Sequence, residues 1–391
     1  MLTSLAFLFI AGLSLGYFFN RLQLPALIGM LIAGILLGSS GFNLLDESLL
    51  SISIELRQIA LVIILMRAGL ALNLSELKQV GRPAILLCFL PACFEIAGIM
   101  LIAPPLLGVT LLEAAIIGTV VAAVSPAVIV PKMLKLMEEK KGTRKGIPQM
   151  IMAGGSIDDI FVIVLFSAFT TLALGGEVSA IALLDIPLSI IIGAAMGCIS
   201  GIAIAKYFKL FHTRDSIKLI IMLSSAFIFL SIEQWAKGTI AISGLLAVMV
   251  MGITLLWQYP QLSKRISTKL NKVWVGAEVL LFVLVGATVD ISYAISAGVA
   301  AIGLILLAMI FRMTGVAASM INTPLNKKER LFCMIAYTPK ATVQAAIGSL
   351  PLAMGLPCGE IVLTIAVLSI LITAPIGAFG IDTTYNRLLS R

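Results

Sequence analysis

Charge is scarce in this chain: Asp, Glu, Lys and Arg together make up 12% of its 391 residues, while 60% are apolar. Soluble domains carry about 25% charged residues, so an ordinary soluble fold is excluded. The mean hydropathy of +1.12 instead marks an all-α polytopic membrane protein. A spanning helix uses about 20 apolar residues, and a helix with its connection about 30, so the length accommodates about thirteen transmembrane helices. Little chain is left for a soluble domain. No hydrophilic extension stands at either end, and regulation through a tail is not expected.

Histidine is nearly missing, and the one copy, His212, falls in a polar connection where it reads as a solvated loop residue rather than a pH sensor. Cysteine offers no framework either. Cys88, Cys93, Cys198, Cys333 and Cys358 are scattered, all but the last inside apolar stretches, and Cys88 and Cys93 point to different faces of one helix. Neither a disulfide nor a thiolate metal pair is expected from them. The opening stretch MLTSLAFLFIAGLSLGYFF lacks a basic n-region and a small-residue cleavage site, so it reads as a retained first span.

What the chain does have is a run of apolar windows, near 2–19, 24–41, 55–73, 83–106, 111–136, 148–174, 180–205, 216–234, 239–257, 273–290, 294–319, 329–350 and 358–380. The net charge of +8 would suit nucleic acid, but its placement excludes that partner. Connections after odd-numbered spans hold Arg21, Lys78, Arg82, the run KLMEEKKGTRK, Lys206, Lys209, Arg214, Lys218, Lys264, Arg265, Lys269, Lys272, Lys327, Lys328 and Arg330; those after even-numbered spans hold Lys237 alone. By the positive-inside rule the N-terminus lies outside, and the C-terminus, with Arg387 and Arg391, lies inside. The basic clusters read as topogenic.

Two spans are not clean helices. The fifth places Pro126 and Pro131 in AAVSPAVIVPKML, and the twelfth carries Pro339, Lys340, Gln344 and Pro351 in AYTPKATVQAAIGSLPL. Proline removes a backbone donor and clashes with the preceding turn, so both helices are expected to be interrupted or bent. Such backbone survives at membrane depth only where protein or a water-filled cavity covers it. The fifth and twelfth spans are an odd number apart and so cross in opposite directions. That is the pattern of an inverted six-span repeat, with the substrate site of a secondary transporter at the paired breaks.

Within span six, GGSIDDIFVIVLF sets Asp158 beside Asp159. A carboxylate near a bilayer midplane costs about 2.5–3.5 kcal/mol, so an unpartnered pair signals an ion or proton site. Adjacent helix positions point about 100° apart, which suits one carboxylate facing a cavity and one its wall, and does not suit a protease dyad. Burial, mutual repulsion and a nearby cation compete over the proton, leaving a group able to trade H⁺ for a metal cation. Other deep charges are Arg67, Glu95, Arg312, Lys340 and, toward the cytoplasmic side, Glu278. Glu95 and Arg312 fall on symmetry-related spans and can meet, each offsetting the other's desolvation. Lys340 can neutralise the negative ends of half-helices, and carbonyls freed around Ser125 can help coordinate a hard cation. Arg67 reads as a structural partner, and Glu278 has no assigned role.

The motifs VSPAVIVPKML, KGIPQMIMAGGSIDDIFVIVLF and YTPKATVQAAIGSLPL, together with IILMRAGLAL and the segment around Glu95, resemble the monovalent cation/proton antiporter superfamily. The likeness is closest to its NHA-type sodium/proton antiporter branch and covers nearly the whole chain. The resemblance implies a core domain over approximately 83–174 and 294–380, containing two crossed discontinuous helices. It further implies a dimerisation domain over approximately 1–73 and 180–257, a linking helix at 273–290, a homodimer, and elevator-type alternating access. In that family the second aspartate is the ion ligand, here Asp159, with Asp158 its neighbour, Glu95 and Arg312 an ion pair, and Lys340 the basic residue at the helix crossing. Better-known aspartate-pair antiporters that are electrogenic often carry lysine where Arg312 stands. Arginine cannot give up its proton, which leaves one or two protons per cation open.

The expectation is therefore exchange of Na⁺, and also Li⁺, for H⁺ across the plasma membrane, with transported ions but no bound cofactor and no enzymatic chemistry. Na⁺ and K⁺ are both hard cations, so K⁺/H⁺ exchange on the same fold is the alternative. A passive cation channel and an intramembrane aspartyl hydrolase are the rivals from other classes.

Overall fold

The computed structural model describes residues 1–71, 81–174, 180–211, 213–236 and 242–390. Lys78, His212, Lys237 and Arg391, placed in connections or at the C-terminus above, lie outside the described residues. In chain order the described residues form α1 (Leu2–Arg21), α2 (Ala26–Leu37), the single turn α3 (Glu47–Leu50), α4 (Ser53–Ala71), α5 (Arg82–Leu87), α6 (Leu90–Leu107), α7 (Leu111–Ala122), α8 (Pro126–Glu138) and α9 (Ile147–Leu174). They continue as α10 (Ala180–Leu210), α11 (Asp215–Ala236), α12 (Gly244–Gln258), α13 (Pro260–Ala287), α14 (Ile291–Ser319), α15 (Lys327–Ala336), α16 (Thr342–Ile347), α17 (Leu350–Ala353) and α18 (Gly359–Leu388). Among the described residues there is no strand, and nine helical stretches are long and apolar enough to cross a membrane. Ala26–Leu37, Gly244–Gln258 and Thr342–Ala353 are shorter apolar helices. An all-helical solution fits the composition, because in hydrocarbon every backbone donor and acceptor needs a partner and an apolar run of about 20 residues supplies its own as a helix.

The chain divides into two compact units. The first comprises Met1–Ile54, Asn73–Val162 and Val279–Arg391. Small residues set its close helix approaches, as expected where lipid supplies no hydrophobic drive between helices. A Cβ added at Gly34 of α2 would stand 2.8 Å from the Val283 carbonyl carbon and 2.9 Å from the Ala287 nitrogen. Gly98 of α6 admits the Phe311 ring of α14, and Gly315 of α14 admits Pro91 of α6, which lies 2.7 Å from a Cβ built there. These contacts bracket Glu95 and Arg312 and bring them to one level. A buried apolar cluster that includes Leu87, Val124, Ile129, Met133, Ile151, Val316, Phe332 and Tyr337 holds α5, α8, α9, α14 and α15 around the two broken segments.

The first break follows from local sequence. α7 starts at a capping box in which Thr110 Oγ1 accepts from Glu113 N and Glu113 Oε2 accepts from Thr110 N. It stops at Ala122 because Ala123 and Ser125 are extended, and the residue before a proline is biased that way. Pro126 then opens α8 at a position whose amide needs no helical partner. The second break mirrors it. α15 starts at the Asn326/Glu329 capping box and ends at Ala336, and α16 resumes at Thr342 beyond Pro339.

The second unit comprises Glu55–Leu72 and Ile163–Glu278. Here Gly193, Gly197 and Gly201, spaced one turn apart on α10, let α12 approach; a Cβ at Gly201 would meet Thr254 Cβ at 2.6 Å. Ser263 Oγ donates to Leu70 O at 3.1 Å, and Arg265 Nε donates to Asp215 Oδ2 at 3.0 Å. The Arg67 guanidinium lies 5.9 Å from the centre of the Trp274 ring.

Candidate functional site

The two breaks of the first unit cross. Ser125 N donates to Pro339 O at 2.8 Å, and Ser125 Oγ lies 3.4 Å from Thr342 Oγ1. A helix that stops leaves its last carbonyls without intrahelical donors, and each one orphaned in a dry interior costs about 1–3 kcal/mol. α7 stops inside the protein, and side chains from the chain's second half take up its end. Lys340 Nζ donates to Val121 O at 2.6 Å, Arg312 Nη1 donates to Ala122 O, and Gln344 Nε2 donates to Ala123 O at 2.8 Å and to Val121 O at 3.1 Å. Two of the three are cations at a helix C-terminus, where the macrodipole favours positive charge.

The same cations grip carboxylates. Arg312 Nη2 donates to Asp158 Oδ2 at 2.8 Å and Nη1 to Glu95 Oε2 at 3.0 Å, while Nε is spent on Tyr337 O at 2.7 Å. Lys340 Nζ sits 2.7 Å from Glu95 Oε1 and 2.8 Å from Oε2, so it straddles that carboxylate. The backbone of Lys340 is pinned by its own N–H, which donates to Thr373 Oγ1 at 3.0 Å. Asp158 Oδ2 also accepts from Val124 N at 2.9 Å. Glu95, Asp158, Arg312, Lys340 and Gln344 are all buried. Such a network persists in a membrane only because each charge has a partner at hydrogen-bonding distance.

Asp159 is the exception. It is 8% exposed, and among the described residues no hydrogen bond or ion pair reaches it; its Oδ1 is buried and unpartnered. Glu95, Asp158 and Asp159 are three carboxylates facing two cations, Arg312 and Lys340, and the bonds assign both cations to the first two. The carboxylate left over can be neutralised by a proton or by a metal cation. Among the described residues no cluster of three or more His, Cys, Asp or Glu side chains could hold a resident metal.

Each candidate from the sequence thus has a definite place. Glu95, Asp158, Ser125, Arg312 and Lys340 converge on the crossing, with Asp159 next to Asp158 on α9. The carbonyls of residues 121, 122 and 123 are occupied by side-chain donors. Two links escape sequence reasoning, Arg312 to Asp158 and Lys340 to Glu95. Gln344 is visible as an amide in an apolar helix one turn after Lys340, which marks it as polar and buried but does not say what it bonds.

A family model described as sodium/hydrogen exchanger, transmembrane, matches residues 5–386. Sodium/hydrogen exchanger 9B2 of Homo sapiens is 34% identical over 390 residues, covering 94% of this chain and 70% of that protein. Sodium/hydrogen exchanger 9B1 of Homo sapiens is 31% identical over 385 residues, covering 94% and 73%. Among solved structures, the sodium proton antiporter MjNhaP1 from Methanocaldococcus jannaschii superposes with a TM-score of 0.83 over 99% of this chain and 98% of that one, at 20% identity. At that identity the likeness is one of fold.

Proposed function

The chain belongs to the sodium/hydrogen exchanger family of membrane cation/proton antiporters, and on that premise we propose that it exchanges Na⁺, and Li⁺ as its smaller analogue, for H⁺ at Asp159. The observation that carries this reading is the unpaired Asp159 beside an Asp158 already committed to Arg312 and the Val124 amide. One carboxylate without a resident counter-charge binds either a proton or a cation, never both, and that competition is the coupling.

Arg312 is a permanent cation, so it neutralises Asp158 whichever ion Asp159 carries and contributes no second proton. The proposed stoichiometry is therefore one H⁺ per Na⁺. Lys340 and Arg312 hold the end of α7 and their own carboxylates, so that the broken backbone keeps its shape while Asp159 changes occupant. Alternating access is proposed to be elevator-like, with a core of approximately 83–174 and 294–380 moving against a dimerisation domain of approximately 1–73 and 180–257. The working form is proposed to be a homodimer in the plasma membrane. Ser125 is proposed to line the cation's path at the crossing.

The direct test is Na⁺/H⁺ exchange in proteoliposomes under a pH gradient. Asp159→Asn should abolish it; exchange at the wild-type rate in that variant would sink the assignment.

A further inference from the structure

One peptide unit in the first helix break is held at both ends. Its carbonyl, Ala123 O, accepts from Gln344 Nε2 at 2.8 Å, and its amide, Val124 N, donates to Asp158 Oδ2 at 2.9 Å. From there the bonds run on through Arg312 Nη2 to the same Oδ2 at 2.8 Å and Arg312 Nη1 to Glu95 Oε2 at 3.0 Å. Lys340 Nζ reaches that Oε2 at 2.8 Å and Val121 O at 2.6 Å, and Gln344 Nε2 closes the circuit on Val121 O at 3.1 Å. Gln344 is the one uncharged side chain in this closed ring.

Its chemistry is well matched to the place. A glutamine amide has two N–H donors, and both are spent on the carbonyls that flank Ala122 O, which Arg312 takes. Among the described residues the amide oxygen is buried without a partner, so no acceptor role dictates where the side chain sits. The flipped amide would set that oxygen against two carbonyl oxygens, which fixes the orientation. An unpartnered buried oxygen costs about 1–3 kcal/mol, and the side chain stands there in spite of it.

We propose that Gln344 is a positioning residue for cation exchange: by holding the Ala123 carbonyl it aims the Val124 amide at Asp158 and keeps the carboxylate beside Asp159 in one orientation. This rests on the antiport reading above. Gln344 touches no transported ion in this scheme; it acts through one peptide bond.

The test compares wild type, Gln344→Met, which keeps length and loses both donors, and Gln344→Asn, which keeps the amide but falls one methylene short. Two readouts are taken on each: KM and Vmax for Na⁺ in proteoliposomes, and amide hydrogen exchange over residues 121–125. The expected result for Gln344→Met is a KM raised roughly three- to tenfold, the cost of one or two hydrogen bonds, with a smaller change in Vmax and faster amide exchange in that segment. Gln344→Asn should fall between it and wild type, and decides alone if Gln344→Met is not recovered folded. A wild-type KM, or a raised KM with unchanged amide exchange, overturns the proposal while leaving the antiport reading intact. A wild type that does not exchange Na⁺ for H⁺ sinks the antiport reading instead. Amide exchange then decides whether Gln344 clamps the peptide: unchanged exchange in Gln344→Met means that it does not.

Discussion

Arg312 and Asp158, 154 positions apart in the chain, are joined by a bond of 2.8 Å from Nη2 to Oδ2, both side chains buried. The same guanidinium serves Glu95, the Ala122 carbonyl and the Tyr337 carbonyl, so its planar fork satisfies four acceptors on three other helices and at the end of a fourth segment. Lysine cannot reproduce this fork, because it presents a point charge on one nitrogen.

Arg312→Ala leaves Asp158 without its cation, Glu95 with Lys340 alone, and the Ala122 and Tyr337 carbonyls without the Arg312 donor. The expected loss is about 3–5 kcal/mol of stability, seen as a lowered melting temperature of the detergent-solubilised protein. Arg312→Lys should fold, with a smaller loss. An Arg312→Ala protein as thermostable as wild type would show that the bonds contribute nothing.

Voltage separates one proton per cation from two. With Arg312 permanently charged, Na⁺ flux in proteoliposomes should be the same at a clamped potential of zero and at a set negative value. Flux that scales with potential in the wild type rejects one-for-one exchange. Arg312→Lys introduces an amine able to give up its proton, and its flux is expected to become voltage-dependent.

Glu95 and Lys340 should behave as a coupled pair. Lys340→Met leaves the Glu95 carboxylate with Arg312 alone and the Val121 carbonyl with Gln344 alone, whereas adding Glu95→Gln to that variant removes the under-compensated charge. The double-mutant cycle should therefore give a coupling of about 1–3 kcal/mol in thermal stability. A coupling near zero would mean that the bonds of 2.7 and 2.8 Å from Nζ to Glu95 are energetically silent.

Cation and proton should compete in a stability measurement as they do in transport. A ligand present at about 100 times its Kd stabilises by about 2.7 kcal/mol, and less where a competitor occupies the site. Na⁺ should thus raise the melting temperature more at high pH than at low pH, and Asp159→Asn should erase the effect. A pH-independent Na⁺ effect, or one that survives in Asp159→Asn, argues against a shared carboxylate; an aspartyl hydrolase has no reason to show the competition at all.

The helical architecture is readable because a bilayer writes strongly into sequence, in long apolar windows and basic connections. The carboxylates of span six stand out for the same reason, since a charge that costs about 2.5–3.5 kcal/mol in lipid is rarely present without a task. Pro126 and Pro339 locate the two interruptions, and local capping at Thr110 and Asn326 explains where the flanking helices begin.

What the amino-acid sequence by itself determined is thus the membrane-spanning class, the positions of the breaks, and the short set of charged side chains held at depth. Each of these is a local property, set by apolar runs, by proline stereochemistry and by the cost of a charge in hydrocarbon. What only the tertiary structure decided is which donor meets which acceptor. Lys340 and Glu95 are 245 residues apart, Gln344 and Ala123 221 residues, and no periodicity relates them. Their pairing depends on the crossing at Ser125 and Pro339, because hydrogen bonds demand a geometry of a few tenths of an ångström that only the packed helices supply. That crossing commits Asp158 to Arg312 and leaves Asp159 without a partner among the described residues.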